Sequence, residues 1–282
     1  LAFRVSFKGE RPAQSKLYWQ GLVLNYFDGR EWRQFANEQS AEELQWSIKQ
    51  DYAYDPQNLK IQGERYEYEA VYEQSGQPWL FTLTPSTEVQ GDVLRAADYR
   101  VMAKQPLHSP MLIRAVSRPE SIRDLTLAPK LQDLALQLPQ QGDIRSRQLA
   151  QGLYAEAGDE RAYIQTVLNR FREQPFFYTL HPPLLGEKDT IDGFLFDSQR
   201  GFCSHYAGSF VFLMRAVGIP ARVVIGYQGG EWNESGKYLA VHQFDAHAWA
   251  EVWLSGQGWV RFDPTSMVAP ERTEQNLEAA LK

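Results

Sequence analysis

The residues that could do chemistry gather in the last third of the chain, and the first of them is its only cysteine. Cys203 leads into a run whose apolar residues recur at steps of three and four, which predicts an amphipathic helix from about 203 to 217. At a helix N-terminus, unpaired backbone N–H groups and the helix dipole stabilise a thiolate. Cys203 is therefore a candidate nucleophile, although a lone cysteine can also be a small buried apolar side chain.

Two predicted strands downstream carry a histidine and an aspartate. From His247 to Trp253 the side chains alternate as in a strand, and Ser255-Gly256-Gln257-Gly258 predicts a hairpin turn. Residues 259–265 then form the returning strand. Counting back across the turn places Asp263 roughly opposite His247, within reach of a carboxylate–imidazole hydrogen bond.

A cysteine at the start of a helix, with a histidine and an aspartate on adjacent strands, is the arrangement needed for thiolate attack on an amide. If Asp263 does not orient His247, the next candidate is Asp245. His205 lies about 200° around the predicted helix from Cys203 and is not expected to reach the sulfur. The remaining histidines are interpreted as solvated loop residues: His108, His181 and His242.

Four motifs follow one another between residues 200 and 265. They are Gly201-Phe202-Cys203-Ser204-His205-Tyr206-Ala207, Ala216-Val217-Gly218-Ile219-Pro220-Ala221-Arg222-Val223-Val224, Asp245-Ala246-His247-Ala248-Trp249 and Trp259-Val260-Arg261-Phe262-Asp263-Pro264-Thr265. In this order they resemble the bacterial transglutaminase-like core, and more closely the TgpA-type bacterial transglutaminases. A weaker likeness precedes them at Asp192-Gly193-Phe194-Leu195-Phe196-Asp197. Several motifs in the right order are far more specific than any one of them.

The resemblance implies an α+β fold, with a papain-like core in which the helix bearing the nucleophile packs on an antiparallel sheet. It assigns the nucleophile to Cys203, the base to His247 and the orienting carboxylate to Asp263. The backbone N–H of Cys203 is the first candidate for an oxyanion donor, and the Tyr178 side chain is the second. The resemblance also implies a periplasmic segment of an inner-membrane protein, and we expect the chain to be a fragment that lies between membrane spans.

The function predicted in this way is protein-glutamine gamma-glutamyl transfer. A thioester would form on Cys203 and pass to a primary amine. The expected partners are a protein or peptide with a glutamine and an amine acceptor, and a cell-envelope component is a further candidate. The same residues would also serve a cysteine peptidase or amidase with water as the acceptor. A third alternative is a non-catalytic binding module.

Composition narrows the function classes. With 43% hydrophobic and 23% charged residues, the chain is an ordinary globular one. Its formal net charge of -6 argues against nucleic acid and against an anionic membrane surface as partners. The sequence has no run of eighteen apolar residues and no signal peptide. We expect membrane contact only through segments outside this chain.

No cofactor or metal is expected. Animal transglutaminases depend on calcium, but this chain has no Asp-x-Asp-x-Asp-Gly loop of the EF-hand type. Its five histidines and one cysteine also show no zinc-ligand spacing.

The chain is expected to form two domains and a tail. Short alternating runs rich in Tyr and Trp predict an antiparallel β domain over residues 1–115, a small sandwich or barrel whose aromatic residues form its core. Residues 116–270 are predicted as the transglutaminase-like catalytic core, and residues 271–282 as a C-terminal tail or linker.

The predicted catalytic core begins with helices and contains two loops. Helices are expected over 125–138 and 143–155, followed by one capped by Asp159. The loops 181–186 and 228–242 are predicted to form walls of the active-site cleft. Trp249 is expected to line that cleft.

Overall fold

The computed structural model describes residues 1–34 and 53–274. The strands are β1 (Phe3–Lys8), β2 (Tyr18–Leu24), β3 (Tyr26–Phe27), β4 (Trp32–Arg33), β5 (Leu59–Lys60), β6 (Tyr66–Tyr72), β7 (Trp79–Leu80), β8 (Thr82–Leu83), β9 (Ser86–Gln90), β10 (Val93–Arg95), β11 (Val101–Ala103), β12 (Met111–Ser117), β13 (Ile122–Arg123), β14 (Phe177–Tyr178), β15 (Arg200–Gly201), β16 (Ala221–Gln228), β17 (Glu231–Asn233), β18 (Tyr238–Val241), β19 (Ala246–Leu254) and β20 (Gly258–Phe262). The alternating sequence Arg30-Glu31-Trp32-Arg33-Gln34-Phe35 also predicts a strand; β4 occupies Trp32–Arg33 of it, and residue 35 lies outside the described residues.

The helices lie mostly in the second half of the chain. They are α1 (Pro129–Leu136), α2 (Ile144–Ala157), α3 (Glu160–Glu173), α4 (Thr190–Asp192), α5 (Cys203–Ala216) and α6 (Pro270–Glu274). A π-helical segment, Gly193–Ser198, follows α4, and short 3-10 helices lie at Gln14–Lys16, Pro56–Asn58, Gln243–Asp245 and Pro264–Met267. The predicted cap of α3 is confirmed, because the Asp159 carboxylate accepts a hydrogen bond from the N–H of Ala162 at 2.9 Å.

A five-stranded antiparallel sheet in the order β20-β19-β16-β2-β8 carries the Cys203 helix. One face of β19 presents the small residues Ala248, Ala250 and Val252, which pack against the buried face of α5. Small side chains on the sheet let the helix approach closely. The expected α+β architecture, with the cysteine helix packed on an antiparallel sheet, is thereby confirmed.

A six-stranded sheet in the order β17-β18-β1-β6-β12-β9 forms the β-rich N-terminal region. Alternate residues of β6 are buried, namely Tyr66, Tyr68, Ala70 and Tyr72. The tyrosines pack in one core with aromatic residues of β1 and β2, such as Phe3 and Trp19. The prediction that the aromatic residues of this region form a core is confirmed.

Both sheets cross the predicted boundary near residue 115. In the larger sheet, β1 pairs with β18, so that Val5 lies opposite Leu239. In the smaller sheet, β2 pairs with β16, so that Val23 lies opposite Val224. The division into 1–115 and 116–270 stays a prediction about the chain, but the hydrogen-bonded sheets do not follow it.

One prediction about the C-terminal part needs correction. The segment 228–242 is predicted to be a loop, but it contains the β17–β18 hairpin, which extends the six-stranded sheet. The division that makes residues 271–282 a tail or linker stays a prediction; the described part of this segment continues α6, and the Arg272 side chain is fully buried. Residues 275–282 of the predicted tail lie outside the described residues.

The contact between β2 and β16 predicts that Gly226 tolerates no side chain. A Cβ atom there would lie 1.8 Å from the backbone carbonyl oxygen of Trp19. To relieve this overlap, the backbone of a paired strand would have to move. We expect Gly226→Ala to lower the free energy of unfolding by roughly 2–4 kcal/mol in urea denaturation.

Gly152→Ala is the matched control, because nothing lies within 4 Å of a Cβ at Gly152, inside α2. This change should leave stability equal or raise it by roughly 0.5–1 kcal/mol, since alanine favours a helix. Equal unfolding midpoints for Gly226→Ala and the unmodified protein would contradict the described pairing of β2 and β16.

Candidate active site

Cys203 is the first residue of α5 and lies over the start of β19. The preceding residue, Phe202, is extended (φ -112°, ψ -178°), so the helix begins abruptly at the cysteine. The residue is 9% exposed. Its sulfur lies beside the backbone N–H of Ala248 and the His247 imidazole, both of which act on the thiol pKa. The structure thus brings together the predicted nucleophile and the predicted base.

His247 links Cys203 to Asp263. Its Nε2 lies 2.7 Å from Oδ2 of Asp263. Nδ1 has no hydrogen-bond partner among the described residues, and the Cys203 thiol is the other group that acts on the imidazole. The three side chains therefore form a chain of contacts from sulfur through imidazole to carboxylate.

The register of the hairpin differs from the prediction. Ala250 lies opposite Phe262, the last residue of β20, so that Asp263 follows the paired region and approaches His247 diagonally. A diagonal pair remains within reach of longer side chains. Asp245 instead accepts a hydrogen bond from the backbone N–H of His242 at 2.9 Å, which closes a 3-10 turn.

The pKa values of the three groups are displaced in directions that favour an ion pair. Burial acts to raise the pKa of the Cys203 thiol, but the hydrogen bond and charge of His247 lower it overall. Burial acts to lower the pKa of His247, yet the charge and hydrogen bond of Asp263 raise it to about 9. Burial likewise opposes ionisation of Asp263, but the charge of His247 holds its pKa below the usual value. The imidazole is therefore charged near neutral pH, and its charge shifts the thiol toward the thiolate.

Tyr18 is a site residue that the sequence analysis missed. Its hydroxyl donates to the same oxygen of Asp263, at 2.7 Å, across 245 positions of the chain. Its ring packs edge-on against Trp249 and lies under the Arg261 guanidinium, 3.9 Å from the ring centroid. No local pattern in the sequence marks this tyrosine, because its contact depends on β2 entering the sheet beside β16.

Tyr178, the candidate side-chain oxyanion donor, lies beside the cysteine. Strand β14 pairs in parallel with β15, which sets Tyr178 opposite Gly201, two residues before Cys203. Burial and the nearby Cys203 charge raise the pKa of the Tyr178 hydroxyl to about 12. The hydroxyl therefore stays protonated and can donate a hydrogen bond.

His205 does not reach the sulfur, as its helical position predicts. Its imidazole packs against the rings of Phe194 and Phe202, and its Nδ1 accepts the N–H of Phe202 at 3.3 Å. Burial lowers its pKa. We therefore assign it no contact with the Cys–His–Asp cluster.

Two cavities flank the cluster on opposite sides of the sheet. One, of about 510 Å³, is lined by the loop residues Pro182 to Gly186 together with Phe202, Ser204 and Ile225. The other, of about 470 Å³, is lined by Tyr18, Trp249 and Arg261. Residues 182–186 of the loop and Trp249 thus line two separate cavities, and neither cavity is lined by Cys203, His247 or Asp263. The structure does not bring the loop and Trp249 into one cleft, and their role as its walls stays a prediction.

Other features of the described residues concern metals and membranes. In residues 1–34 and 53–274, no group of three or more His, Cys, Asp or Glu side chains is placed to hold a metal ion. No helix in that part of the chain is long and apolar enough to cross a bilayer.

In this protein a helix that begins with cysteine packs on an antiparallel sheet, which is the architecture of a transglutaminase-like core. Residues 147–264 match the Transglutaminase-like superfamily. Residues 1–124 match the TgpA N-terminal domain. The chain belongs to the TgpA family of transglutaminase-like proteins. The resemblance drawn from the four sequence motifs is confirmed.

Solved and curated relatives agree with this assignment. The crystal structure of the periplasmic domain of TgpA from Pseudomonas aeruginosa is 42% identical, with a TM-score of 0.90 over 99% of this chain and 92% of that one. The protein-glutamine gamma-glutamyltransferase of Pseudomonas aeruginosa is 43% identical over 100% of this chain and 40% of its own length. YebA of Bacillus subtilis is 29% identical over 65% of this chain and 25% of its own. The chain spans two fifths or less of these curated relatives.

The lowered pKa of Cys203 predicts an unusually reactive thiol. Because the thiol pKa is lowered, iodoacetamide should alkylate Cys203 rapidly at pH 7, and the rate should fall as the pH drops through that pKa. Cys203 is the only cysteine, so the mass of the intact protein reports this reaction alone.

His247→Gln is the informative variant, because it removes the imidazole that lowers the thiol pKa. Burial of the sulfur, which raises that pKa, remains. Its alkylation midpoint should move above about 8.5, the value of an unperturbed cysteine. Identical alkylation profiles for the two proteins would show that His247 does not activate the sulfur.

Proposed function

We propose that the protein catalyses acyl transfer from a glutamine side chain to a primary amine. The observation that supports this most directly is the contact chain from the Cys203 sulfur through His247 to Asp263, with His247 and Asp263 joined at 2.7 Å. The curated relative of Pseudomonas aeruginosa carries the corresponding enzyme name. The matched superfamily is consistent with this reaction.

In the proposed first half-reaction, the Cys203 thiolate attacks the carbonyl carbon of the glutamine carboxamide. The C–N bond breaks as His247 gives its proton to the departing ammonia, which leaves a thioester. In the second half-reaction, a primary amine attacks the thioester carbonyl and passes a proton to His247. The C–S bond breaks and the thiolate is restored, so that protons and electrons balance over the cycle.

Supporting groups act on charge and orientation in this scheme. Asp263 holds the imidazole by Nε2, which leaves Nδ1 for the sulfur and for the transferred proton. The backbone N–H of Cys203 and the neutral hydroxyl of Tyr178 are the proposed donors to the oxyanion of the tetrahedral intermediates. Tyr18 donates a hydrogen bond to the Asp263 carboxylate, which in turn orients the His247 imidazole.

Water is the competing acceptor, and burial of the sulfur favours the amine. Cys203 is 9% exposed, and the nearby cavity is lined by apolar residues such as Phe202, Pro182 and Leu185 as well as by polar ones such as Ser204 and His205. A site that excludes water gives a bound amine an advantage over bulk solvent. Transfer is therefore proposed ahead of hydrolysis.

The proposed setting is the periplasmic side of an inner membrane. The solved relatives are periplasmic domains of TgpA, and the chain matches them over 92–93% of their length. Protein or peptide glutamines and amines of the cell envelope are the substrates proposed for this compartment.

Transfer can be measured directly. Incubation with a glutamine-containing peptide and a labelled primary amine should give labelled peptide, with free ammonia in equal amount. Cys203→Ala should abolish the product while leaving the unfolding midpoint almost unchanged, because it removes little more than a sulfur atom.

Other products would contradict the proposal in distinct ways. Glutamate in place of labelled peptide would indicate a deamidase, and a cleaved backbone would indicate a peptidase. No product from a panel of peptide and envelope-derived donors would favour a non-catalytic binding module.

Asp263 and Tyr18 should differ in their effect on turnover. Asp263→Asn removes the charge that stabilises the imidazolium and disturbs the tautomer, and should lower kcat by about 10³- to 10⁴-fold. Tyr18→Phe removes one hydrogen bond to a carboxylate that keeps its other partners, and should lower kcat by about tenfold. Near-native kcat for Asp263→Asn would mean that another group orients His247.

A further inference from the structure

The motif around Cys203 contains a histidine that the Cys–His–Asp cluster does not use. His205 is the third residue of α5, and Phe202 directly precedes the helix. Nδ1 of His205 accepts a hydrogen bond from the backbone N–H of Phe202 at 3.3 Å, and the backbone N–H of His205 donates to the Phe202 carbonyl oxygen at 2.9 Å. In a capping box, a glutamate or glutamine usually accepts at this position. His205 therefore closes the turn that contains the nucleophile.

The His205 imidazole is held in place from three sides. The centroid of the Phe202 ring lies 4.6 Å away and that of the Phe194 ring 5.4 Å away. A Cβ atom on Gly201 would lie 2.7 Å from Cγ of His205, so the imidazole rests directly on the Gly201 backbone. This packing keeps Nδ1 at the Phe202 N–H.

The hydrogen bond also defines the protonation of the ring. Because Nδ1 accepts, the proton of the neutral imidazole is on Nε2. Burial lowers the pKa of His205 and outweighs the opposing effect of the Phe202 backbone, so the ring is neutral at pH 7. An imidazolium would carry N–H groups on both nitrogens and could not accept.

One peptide group, between Gly201 and Phe202, is held at both of its ends. Its N–H donates to the imidazole described above, and its carbonyl oxygen accepts from the N–H of Thr179 at 2.9 Å. A peptide group is planar, so two such bonds fix its orientation. Cys203 directly follows this group, and Tyr178 directly precedes Thr179. The group therefore links the two segments that carry the proposed oxyanion donors.

We propose that His205 is a positioning residue, whose Nδ1 orients the peptide group before Cys203 and so places the Cys203 N–H for the oxyanion. The same peptide group is bonded to Thr179, so its orientation also sets where the Tyr178 hydroxyl lies relative to Cys203. A displacement of about 1 Å near a reacting group can lower a rate by roughly 10²-fold. The inference rests on the proposed function, in which these two groups donate to the oxyanion.

Acylation and alkylation of Cys203 separate this role from the reactivity of the thiol itself. p-Nitrophenyl acetate acylates a thiolate through a tetrahedral oxyanion: the S–C bond forms, and p-nitrophenolate leaves as the C–O bond breaks. Iodoacetamide loses iodide from a saturated carbon and forms no oxyanion. Neither reagent needs a glutamine or an amine, so the ratio of the two rates tests the inference even if the transfer assay gives no product. Cys203→Ala supplies the background rate.

His205→Phe keeps an aromatic ring beside Phe194 and Phe202 but has no acceptor atom. We expect its acylation to be about 10- to 100-fold slower, with alkylation changed by less than about twofold. His205→Gln restores the acceptor that a capping box normally uses, and should keep both rates within about threefold of the unmodified protein. His108→Gln changes an exposed histidine and should alter neither rate.

Three results would overturn the inference: an unchanged acylation rate in His205→Phe, an equal loss of acylation and alkylation in that variant, or a loss in His205→Gln as large as in His205→Phe. The last result would mean that the ring matters and its acceptor atom does not. If His205→Phe does not fold, ¹⁵N NMR of the unmodified protein takes its place. Nδ1 of His205 should be the unprotonated ring nitrogen at pH 7, and a proton on Nδ1 would equally overturn the inference.

Discussion

The position of β16 between β2 and β19 is the constraint on which the site depends. On one side, β16 sets Gly226 opposite His247, and on the other it receives β2 through a register shift after Ile225. This arrangement brings Tyr18 from near the start of the chain to the carboxylate of Asp263. The N-terminal region is therefore a structural part of the candidate active site, and not only a neighbour of it.

The same sheet also carries buried charged side chains. Glu251 on β19 is paired with Arg123 at 2.6 Å and with Arg222 at 2.7 Å, on the face that carries His247 and Trp249. The Glu251 carboxylate is thus compensated by two guanidinium groups, which ties β19 to its neighbouring segments. At the start of the same strand, the hydrogen bond and charge of His247 lower the pKa of the Cys203 thiol. One strand therefore carries both a buried ion network and the group that activates the cysteine.

Local patterns predicted the nucleophile helix and the hairpin, because helical periodicity and turn glycines act over a few residues. The predicted helix of 203–217 is α5, Cys203–Ala216. The sequence does not predict the β17–β18 hairpin clearly, because the polar residues 233–237 are typical of a loop, although Tyr238-Leu239-Ala240-Val241 has the composition of a strand. Tyr18 could not be found in this way, since its contact with Asp263 arises from the order of the strands in the sheet.

The pairing of the first strands with the last has a consequence for how the molecule forms. While the chain is being made, β2 has one edge open until β16 emerges, about two hundred residues later, and contacts over such separations form slowly. His247 and Ala248 emerge later still, with β19. A chain that stops short of β19 therefore lacks both of these groups that lower the pKa of the Cys203 thiol, so that activation of the cysteine requires the sheet to be complete.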